Sequence, residues 1–441
     1  MSDSAAIRAI VAEGVTRSFP TGTPRDEPIP HLADRASVLK GIRRCGKTYR
    51  MFQQIRALLA DGVPRGHILF ADFEDDRLVP LDEHTIAQVV EEFLRVSAPE
   101  PGAMLYLFLD EVQEVPDWGR TLRRLTQDGR YEICVSGSSS KMLSEDVSTE
   151  FRGRGIAADL YPYSFREFLR ARGQEPCSDV PSPDEGRALA AALEQYLVVG
   201  GFPEVQDCDA FTRVSALQGV ARTIVARDLA ERHGLPALGT LRFIQYALRL
   251  SGREFSVGKI YNTLRSTHVQ LSKEDAYALP AWCENSYLFF LVSRFGADFA
   301  EAQRGRRKLY AVDPGLQTAM GPASSRDSGQ ALETAVYVEL RRRLRGDPLS
   351  SIGFWRTASG YEVDFVVGDE VDRVPHELYQ VSLDVRDPAT LARETRALTE
   401  ALDETGLGEG WLIVGSAGLH AQVSDGRIHL VEAWRWLLGL S

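Results

Sequence analysis

An α/β fold built on a parallel sheet is predicted by three observations. The first is Gly41-Ile42-Arg43-Arg44-Cys45-Gly46-Lys47-Thr48, which meets every fixed position of the phosphate-loop pattern G-x-x-x-x-G-K-[ST]. The second is Met104-Leu105-Tyr106-Leu107-Phe108-Leu109, a continuous apolar run ending in Asp110-Glu111. Unbroken hydrophobicity of that length marks a strand buried on both faces, as in a parallel sheet covered by helices. The third is the order of the segments, in which short apolar runs alternate with stretches of helical period.

At 441 residues the chain is too long for one ordinary core, and two or three domains are expected. It is 44% hydrophobic and 26% charged, the composition of a soluble globular protein. A formal charge of −11 excludes a generic polyanion binder. Two local basic runs stand against that balance, Arg341-Arg342-Arg343 and Arg304-Gly305-Arg306-Arg307-Lys308; a solvated helix face or loop is favoured over a nucleic-acid site for each. The five cysteines form no C-x-x-C pair, so neither zinc nor a disulfide framework is suggested, and their odd number fits a reducing cytosol. The N-terminal stretch lacks the apolar centre of a secretory signal. No apolar run is long enough to span a bilayer. A cytoplasmic protein with no membrane partner is the expectation.

Taken in order, residues 1 to about 18 suggest a short helix. Phe19 to Pro30 holds four prolines and reads as an extended lead-in, so that 1–35 precede the first domain. Ser37 to Lys40 is the strand entering the phosphate loop. Met51, Ile55, Leu58 and Leu59 recur at helical spacing after it. A loop so placed wraps phosphates in backbone N–H groups, with the positive end of the helix behind them. Residues Gly41, Arg43, Arg44, Cys45, Gly46, Lys47, Thr48 and Tyr49 are the nucleotide-binding candidates. Lys47 would reach the β- and γ-phosphates, and Thr48 would place its hydroxyl on Mg²⁺.

His67 to Phe73 is the next strand, and a helix follows around Ile86 to Val96. The run to Leu109 then delivers two carboxylates to the carboxyl edge of the sheet, where ligands bind in such folds. Asp110 is placed to hold the Mg²⁺ shell and Glu111 to polarise an attacking water. A helix N-cap with an acidic first turn would look the same in isolation; the phosphate loop some sixty residues earlier favours the nucleotide reading. Tyr131 to Ser136 is a further strand running into Gly137-Ser138-Ser139-Ser140. Ser138 is the candidate sensor of the γ-phosphate, with a helix-capping serine cluster as the alternative. In Phe151-Arg152-Gly153-Arg154-Gly155, Arg152 and Arg154 are either structural or an arginine finger acting in cis or from a neighbouring subunit.

These motifs, with Tyr161-Pro-Tyr-Ser-Phe-Arg-Glu-Phe-Leu169, Gly200-Gly-Phe-Pro-Glu204, Tyr310-Ala-Val-Asp-Pro-Gly315 and Leu332-Glu-Thr-Ala-Val-Tyr337, carry a resemblance. The chain resembles the bacterial and archaeal AAA-like P-loop ATPases with a C-terminal domain of unknown function. The resemblance covers nearly everything from about residue 36. It implies an AAA-like core over 36–172, a helical and winged-helix region over 187–320, and over 330–441 an α/β domain similar to restriction endonucleases of the PD-(D/E)XK kind. The resemblance alone implies ATP rather than GTP, because no base-reading motif stands out in the sequence. It leaves the cellular role open.

Past the core, Gly173 to Gly186 reads as a linker. Helical patterns cover Ala188–Val199 and Thr212–His233. Phe255 to Leu264 reads as the first helix of a helix-turn-helix pair, Lys273 to Asn285 as the second, and Tyr287 to Phe295 as a wing strand. Glu274, Asp275 and Glu284 against one lysine disfavour major-groove reading by that second helix; packing against the core or another subunit is favoured. In the last domain Glu333 and Asp364 match the two acidic positions of a nuclease of the implied kind. Gln380-Val381-Ser382 stands where an acid-x-Lys is expected, and Ser382 cannot supply the cation, so loss of cutting is expected.

The expectation is a Mg²⁺-dependent ATPase whose hydrolysis rearranges its C-terminal domains, with DNA as a partner through those domains and a homo-oligomer if an arginine acts in trans. An ATP-gated DNA nuclease and a slow nucleotide-dependent switch that recruits a partner are the alternatives.

Overall fold

The computed structural model describes residues 4–32, 34–137, 155–297, 305–321, 325–345, 347, 349–415 and 423–440. The chain divides into two compact units, Met1–Tyr161 and Pro162–Ser441.

The first unit holds a five-stranded sheet of β1 (Ala36–Lys40), β2 (Ile68–Asp72), β3 (Leu105–Asp110), β4 (Tyr131–Gly137) and β5 (Gly155–Asp159), in the order β2-β3-β4-β1-β5. Every pairing in it is parallel. Helices α1 (Ser4–Thr16), α2 (Lys47–Ala60), α3 (Thr85–Ser97) and α4 (Trp118–Gln127) accompany the strands. Side chains alternate across a strand with period two, and each of β1 to β4 feeds two separate cores. Val38, Leu69, Ala71, Leu107, Leu109, Ile133 and Val135 pack with Ile7 and Val11 of α1 and Ile86, Val89 and Phe93 of α3. Their neighbours Leu39, Ile68, Phe70, Phe108 and Cys134 pack with Met51, Phe52 and Ile55 of α2. Burial on both faces is why these strands are continuously apolar instead of alternating.

The predicted extended lead-in has a specific seat. Gln53 of α2 donates to the Thr23 carbonyl at 2.6 Å and accepts the Arg25 N–H at 3.2 Å. Arg50 donates to the Glu27 carbonyl at 2.7 Å, and Phe19 joins the α2 core. Its prolines leave few N–H groups to satisfy, so polar side chains from α2 take the free carbonyls.

The second unit begins with α5 (Phe165–Ala171), α6 (Pro183–Val199) and α7 (Ala210–Thr223). Serine caps with the Glu three residues on start α5 and α6, at Ser164/Glu167 and Ser182/Glu185. One helix is predicted over Thr212–His233; α7 instead passes into a π-helical stretch, Ile224–Glu231. That wider turn buries Ile224, Val225, Asp228 and Leu229. Next come α8 (Ala237–Leu248), β6 (Arg253–Phe255), α9 (Val257–Ser266), α10 (Lys273–Asn285), β7 (Phe289–Val292) and β8 (Arg307–Ala311). The three strands form an antiparallel sheet in the order β6-β8-β7.

After α11 (Pro314–Met320) and α12 (Ser325–Arg343), a second five-stranded sheet closes the chain. Its strands are β9 (Ser350–Arg356), β10 (Glu362–Asp369), β11 (Val374–Ser382), β12 (Gly410–Val414) and β13 (Ile428–Glu432), in the order β13-β12-β11-β10-β9. Pairings β9–β10 and β10–β11 are antiparallel; β11–β12 and β12–β13 are parallel. The parallel β11–β12 connection carries α13 (Pro388–Thr405), whose Ala397, Leu398, Ala401 and Leu402 pack on the sheet with Leu378 and Leu412. The short α14 (Ala433–Leu438) follows β13. Among the described residues no helix is long and apolar enough to cross a membrane.

Candidate nucleotide site

The phosphate loop leaves the carboxyl end of β1, a central strand, and turns at once into α2. Two glycines make that turn. Gly41 has φ 153°, and a Cβ there would overlap the Leu160 carbonyl oxygen. Gly46, the residue before α2, has φ 100°, a region where L side chains are strained. Arg44 is left-handed as well, at φ 64°. The first turn of α2 contains no acidic residue and no side chain caps it. Its N–H groups and the positive end of its dipole are thus directed into the loop, the environment that attracts an anion.

Lys47 is buried, at 4% exposure. Its ammonium donates to the carbonyls of Gly41 at 3.1 Å and Ile42 at 3.2 Å, and it forms no ion pair among the described residues. Thr48 donates from its hydroxyl to Asp110 Oδ2 at 2.6 Å. Asp110, at the end of β3, is 2% exposed, and its Oδ1 accepts from the Ser136 hydroxyl. Burial pushes its carboxyl up to about 6, and the Glu111 charge adds to the effect. The site therefore holds one buried cation and one buried anion, each compensated by dipoles alone. A group carrying both charges, a phosphate with a divalent cation, fits that arrangement.

Glu111 follows in the left-handed region, at φ 51°. Gln113 donates to its carboxylate, and its N–H donates to the Ser136 hydroxyl at 3.3 Å. Asp72 sits beside Asp110 in the β2–β3 register, and burial raises its carboxyl. Arg43 pairs with Glu74, N to O 3.3 Å, in the segment after β2. Cys45 is buried, and its carbonyl accepts from Arg25 at 2.8 Å. The same guanidinium donates to the Tyr161 carbonyl at 2.6 Å, tying the lead-in to the back of the loop. Tyr49 is half exposed on the first turn of α2, its ring 5.6 Å from that of Phe52.

The structure thus brings Lys47, Thr48, Asp110 and Glu111 to one edge of the sheet, with the loop residues Gly41, Arg43, Arg44, Cys45 and Gly46. Ser138, Arg152 and Arg154 lie outside the described residues. Ser136, on β4, donates a second hydroxyl to Asp110, and sequence reading passed over it. Its signal was its inward parity on a buried strand. Arg25 was also missed, because nothing in a proline-rich segment announces which carbonyls it will meet.

One expectation about cations is corrected in the second unit. Arg341 and Arg342 are half-buried rather than solvated, and only Arg343 is exposed. Arg341 lies over the Phe290 ring at 4.0 Å and Arg343 over Trp436 at 3.9 Å, while Arg342 donates to the Pro162 carbonyl. Guanidiniums stack on aromatic rings at little desolvation cost, so the run is spent on packing. Lys308 of β8 lies between Glu333 and Asp364.

A family model described as an AAA domain matches residues 33–169. Two described as domains of unknown function, DUF8612 and DUF4143, match 190–327 and 328–421. The uncharacterized protein MJ1544 of Methanocaldococcus jannaschii is 30% identical over 424 residues, covering 94% of this chain and 90% of its own. An uncharacterized protein of Haemophilus influenzae is 27% identical over 311 residues, covering 70% and 75%. Among solved structures, the Aeropyrum pernix ORC1 protein in complex with DNA aligns at 16% identity and TM-score 0.29, over 72% of this chain and 91% of that one. The chain belongs to the family of the Methanocaldococcus protein, and in it an AAA domain precedes DUF8612 and DUF4143.

Proposed function

We propose that this chain is a Mg²⁺-dependent ATPase whose hydrolysis in the first unit changes the conformation of the regions after it. The supporting observation is the 2.6 Å hydrogen bond from Thr48 to Asp110, beside a lysine closed back on its own loop. Thr48 and Asp110 are the residues that would hold Mg²⁺. Among the described residues no three or more His, Cys, Asp or Glu are grouped to hold a metal, and a phosphate-bound Mg²⁺ needs no such group. Bound there, the ion would neutralise charge on the phosphates.

The chain's own residues do the rest. On arrival of a phosphate, Lys47 exchanges two neutral carbonyl partners for a charged one, and the α2 N–H groups take the phosphate oxygens. Ser136 holds Asp110 and the Glu111 backbone, fixing where the Glu111 carboxylate lies. Glu111 then orients the attacking water and takes its proton as the water oxygen bonds the γ-phosphorus in line and the bond to the bridging oxygen breaks, ADP leaving with the electron pair. Ser138 is assigned as γ-phosphate sensor and Arg154 or Arg152 as the finger; a finger in trans makes the active species a homo-oligomer.

We read the domains as 36–172, 187–320 and 330–441. For the second, the succession α8-β6-α9-α10-β7-β8 supports a winged helix. For the third, the mixed sheet with α13 between parallel strands supports a nuclease-like α/β fold. DNA is the partner this reading names. The acidic first turn of α10, with Glu274 and Asp275, turns the expected contact away from that helix.

Phosphate release from ATP tests the proposal. Lys47→Ala should lose nucleotide binding, while Glu111→Gln should bind fluorescent ATP analogues yet turn over about a hundredfold more slowly. Equal turnover in wild type and Glu111→Gln would remove the hydrolytic mechanism. Mass photometry with and without ATP and duplex DNA reads oligomer and partner together.

A further inference from the structure

In the second unit, three carboxylates surround one ammonium. Lys308 Nζ lies 2.9 Å from Asp364 Oδ1, 3.2 Å from Glu333 Oε1 and 2.8 Å from Glu362 Oε1. The side chains of Lys308, Glu333 and Asp364 are 12%, 14% and 12% exposed, so the contact is screened little by water. These residues come from three separate elements: β8, α12 and β10.

The remaining valences are filled by protein. Asp364 Oδ2 accepts the Val381 N–H at 3.0 Å, and the Asp364 N–H donates to Gln380 Oε1 at 3.2 Å. Gln380 is itself held by Glu394, its amide donating to Oε2 at 2.7 Å. Tyr310, two residues after Lys308 and so on the same face of β8, donates to Glu333. Its ring stacks on Tyr337 at 4.6 Å and meets Phe365 at 5.3 Å, which stiffens the wall of the pocket.

A nuclease-like domain implies a divalent ion between its two acids. The residues present do not fit one. The position between Glu333 and Asp364 is taken by Lys308, and Gln380 spends its carbonyl oxygen on a backbone N–H. Among the described residues no group of three or more metal-ligating side chains is arranged for an ion.

We propose that Lys308 is the built-in cation of this acid pocket. Its tethered ammonium stands where a divalent metal would sit and locks β8, in the three-stranded sheet, onto β10 in the five-stranded one. The pocket takes a divalent ion of the Mg²⁺ or Mn²⁺ class only when Lys308 is withdrawn, so the seating of β8 and metal competence exclude each other.

The test counts Mn²⁺ bound to the full chain by electron paramagnetic resonance, without nucleotide. Wild type is compared with Lys308→Met and with Lys308→Met/Asp364→Asn. Lys308→Met should bind one more Mn²⁺ than wild type, at least tenfold more tightly than wild type binds any ion through Asp364. The double variant should lose it. No additional ion in a folded Lys308→Met, or a wild-type site that Asp364→Asn abolishes, overturns the proposal. Should Lys308→Met not fold, hydrogen exchange on wild type carries the test. Amides of Arg307–Ala311 should keep their protection in millimolar Mn²⁺ and lose it at least tenfold in Asp364→Asn. Metal-induced exposure of β8 in wild type, or unchanged exchange in that variant, overturns it.

Discussion

Asp313 and Gly201 meet across 112 residues: the Gly201 N–H donates to Asp313 Oδ2 at 2.6 Å. The other carboxylate oxygen accepts the Leu316 N–H at 2.9 Å and caps α11. Two motifs of the resemblance, Gly200-Gly201-Phe202 and Val312-Asp313-Pro314-Gly315, thus form one structural joint. Gly200 is left-handed at φ 76°, and a Cβ on it would overlap Asp313. Burial pushes the Asp313 carboxyl up to about 6.

Asp313→Ala removes a helix cap and strands a buried N–H. The second unit should lose about 2–4 kcal/mol, read by urea unfolding, with Asp313→Asn losing less. A loss as small as a surface substitution gives would show that the joint carries no load.

Asp110 makes stability depend on pH in a stated direction. Its carboxyl is raised from 3.8 to about 6 by burial, so between those values the folded chain holds a proton that the unfolded chain releases. Its contribution is complete below about pH 4 and is lost as pH rises through about 6. The gap corresponds to about 3 kcal/mol. Asp110→Asn should flatten the unfolding profile across that window relative to wild type. The same ionisation should weaken Mg²⁺-dependent nucleotide binding as pH falls below about 6, measured by titration with and without the metal.

Ser136→Ala tests the hydroxyl that sequence reading missed. Turnover should fall about tenfold, the equivalent of one net hydrogen bond, with nucleotide affinity within about twofold. The acid limb of the rate profile should also move to higher pH, because Ser136 normally lowers the Asp110 carboxyl. A rate loss without that movement would leave Ser136 as packing only.

Gly41→Ala and Gly62→Ala form a matched pair. Both glycines have positive φ, at 153° and 87°. An added Cβ meets the Leu160 carbonyl at Gly41 and nothing within 4 Å at Gly62. Gly41→Ala should cost at least about 2 kcal/mol more than Gly62→Ala in thermal or urea unfolding.

What could be read from the chain was whatever its physics keeps local. A strand, a glycine turn and a helix N-terminus are contiguous in residues 36–60, so the loop announces itself without knowledge of the rest. The acids at Asp110 and Glu111 are legible for the same reason, since a doubly buried strand is apolar throughout and its end is not. The mixed α/β character followed from such runs. Three things depended on long-range geometry and were out of reach. Ser136 meets Asp110 because β4 pairs with β3 in one particular register. Arg25 finds the loop because α2 holds the lead-in by its free carbonyls. Lys308 comes to Glu333 and Asp364 from 25 and 56 residues away. By itself the sequence determined which local segments can form and where charge leaves a strand. Only the tertiary structure decided which cation faces which acid, because strand register and sheet packing set those distances and neither is encoded in any one stretch.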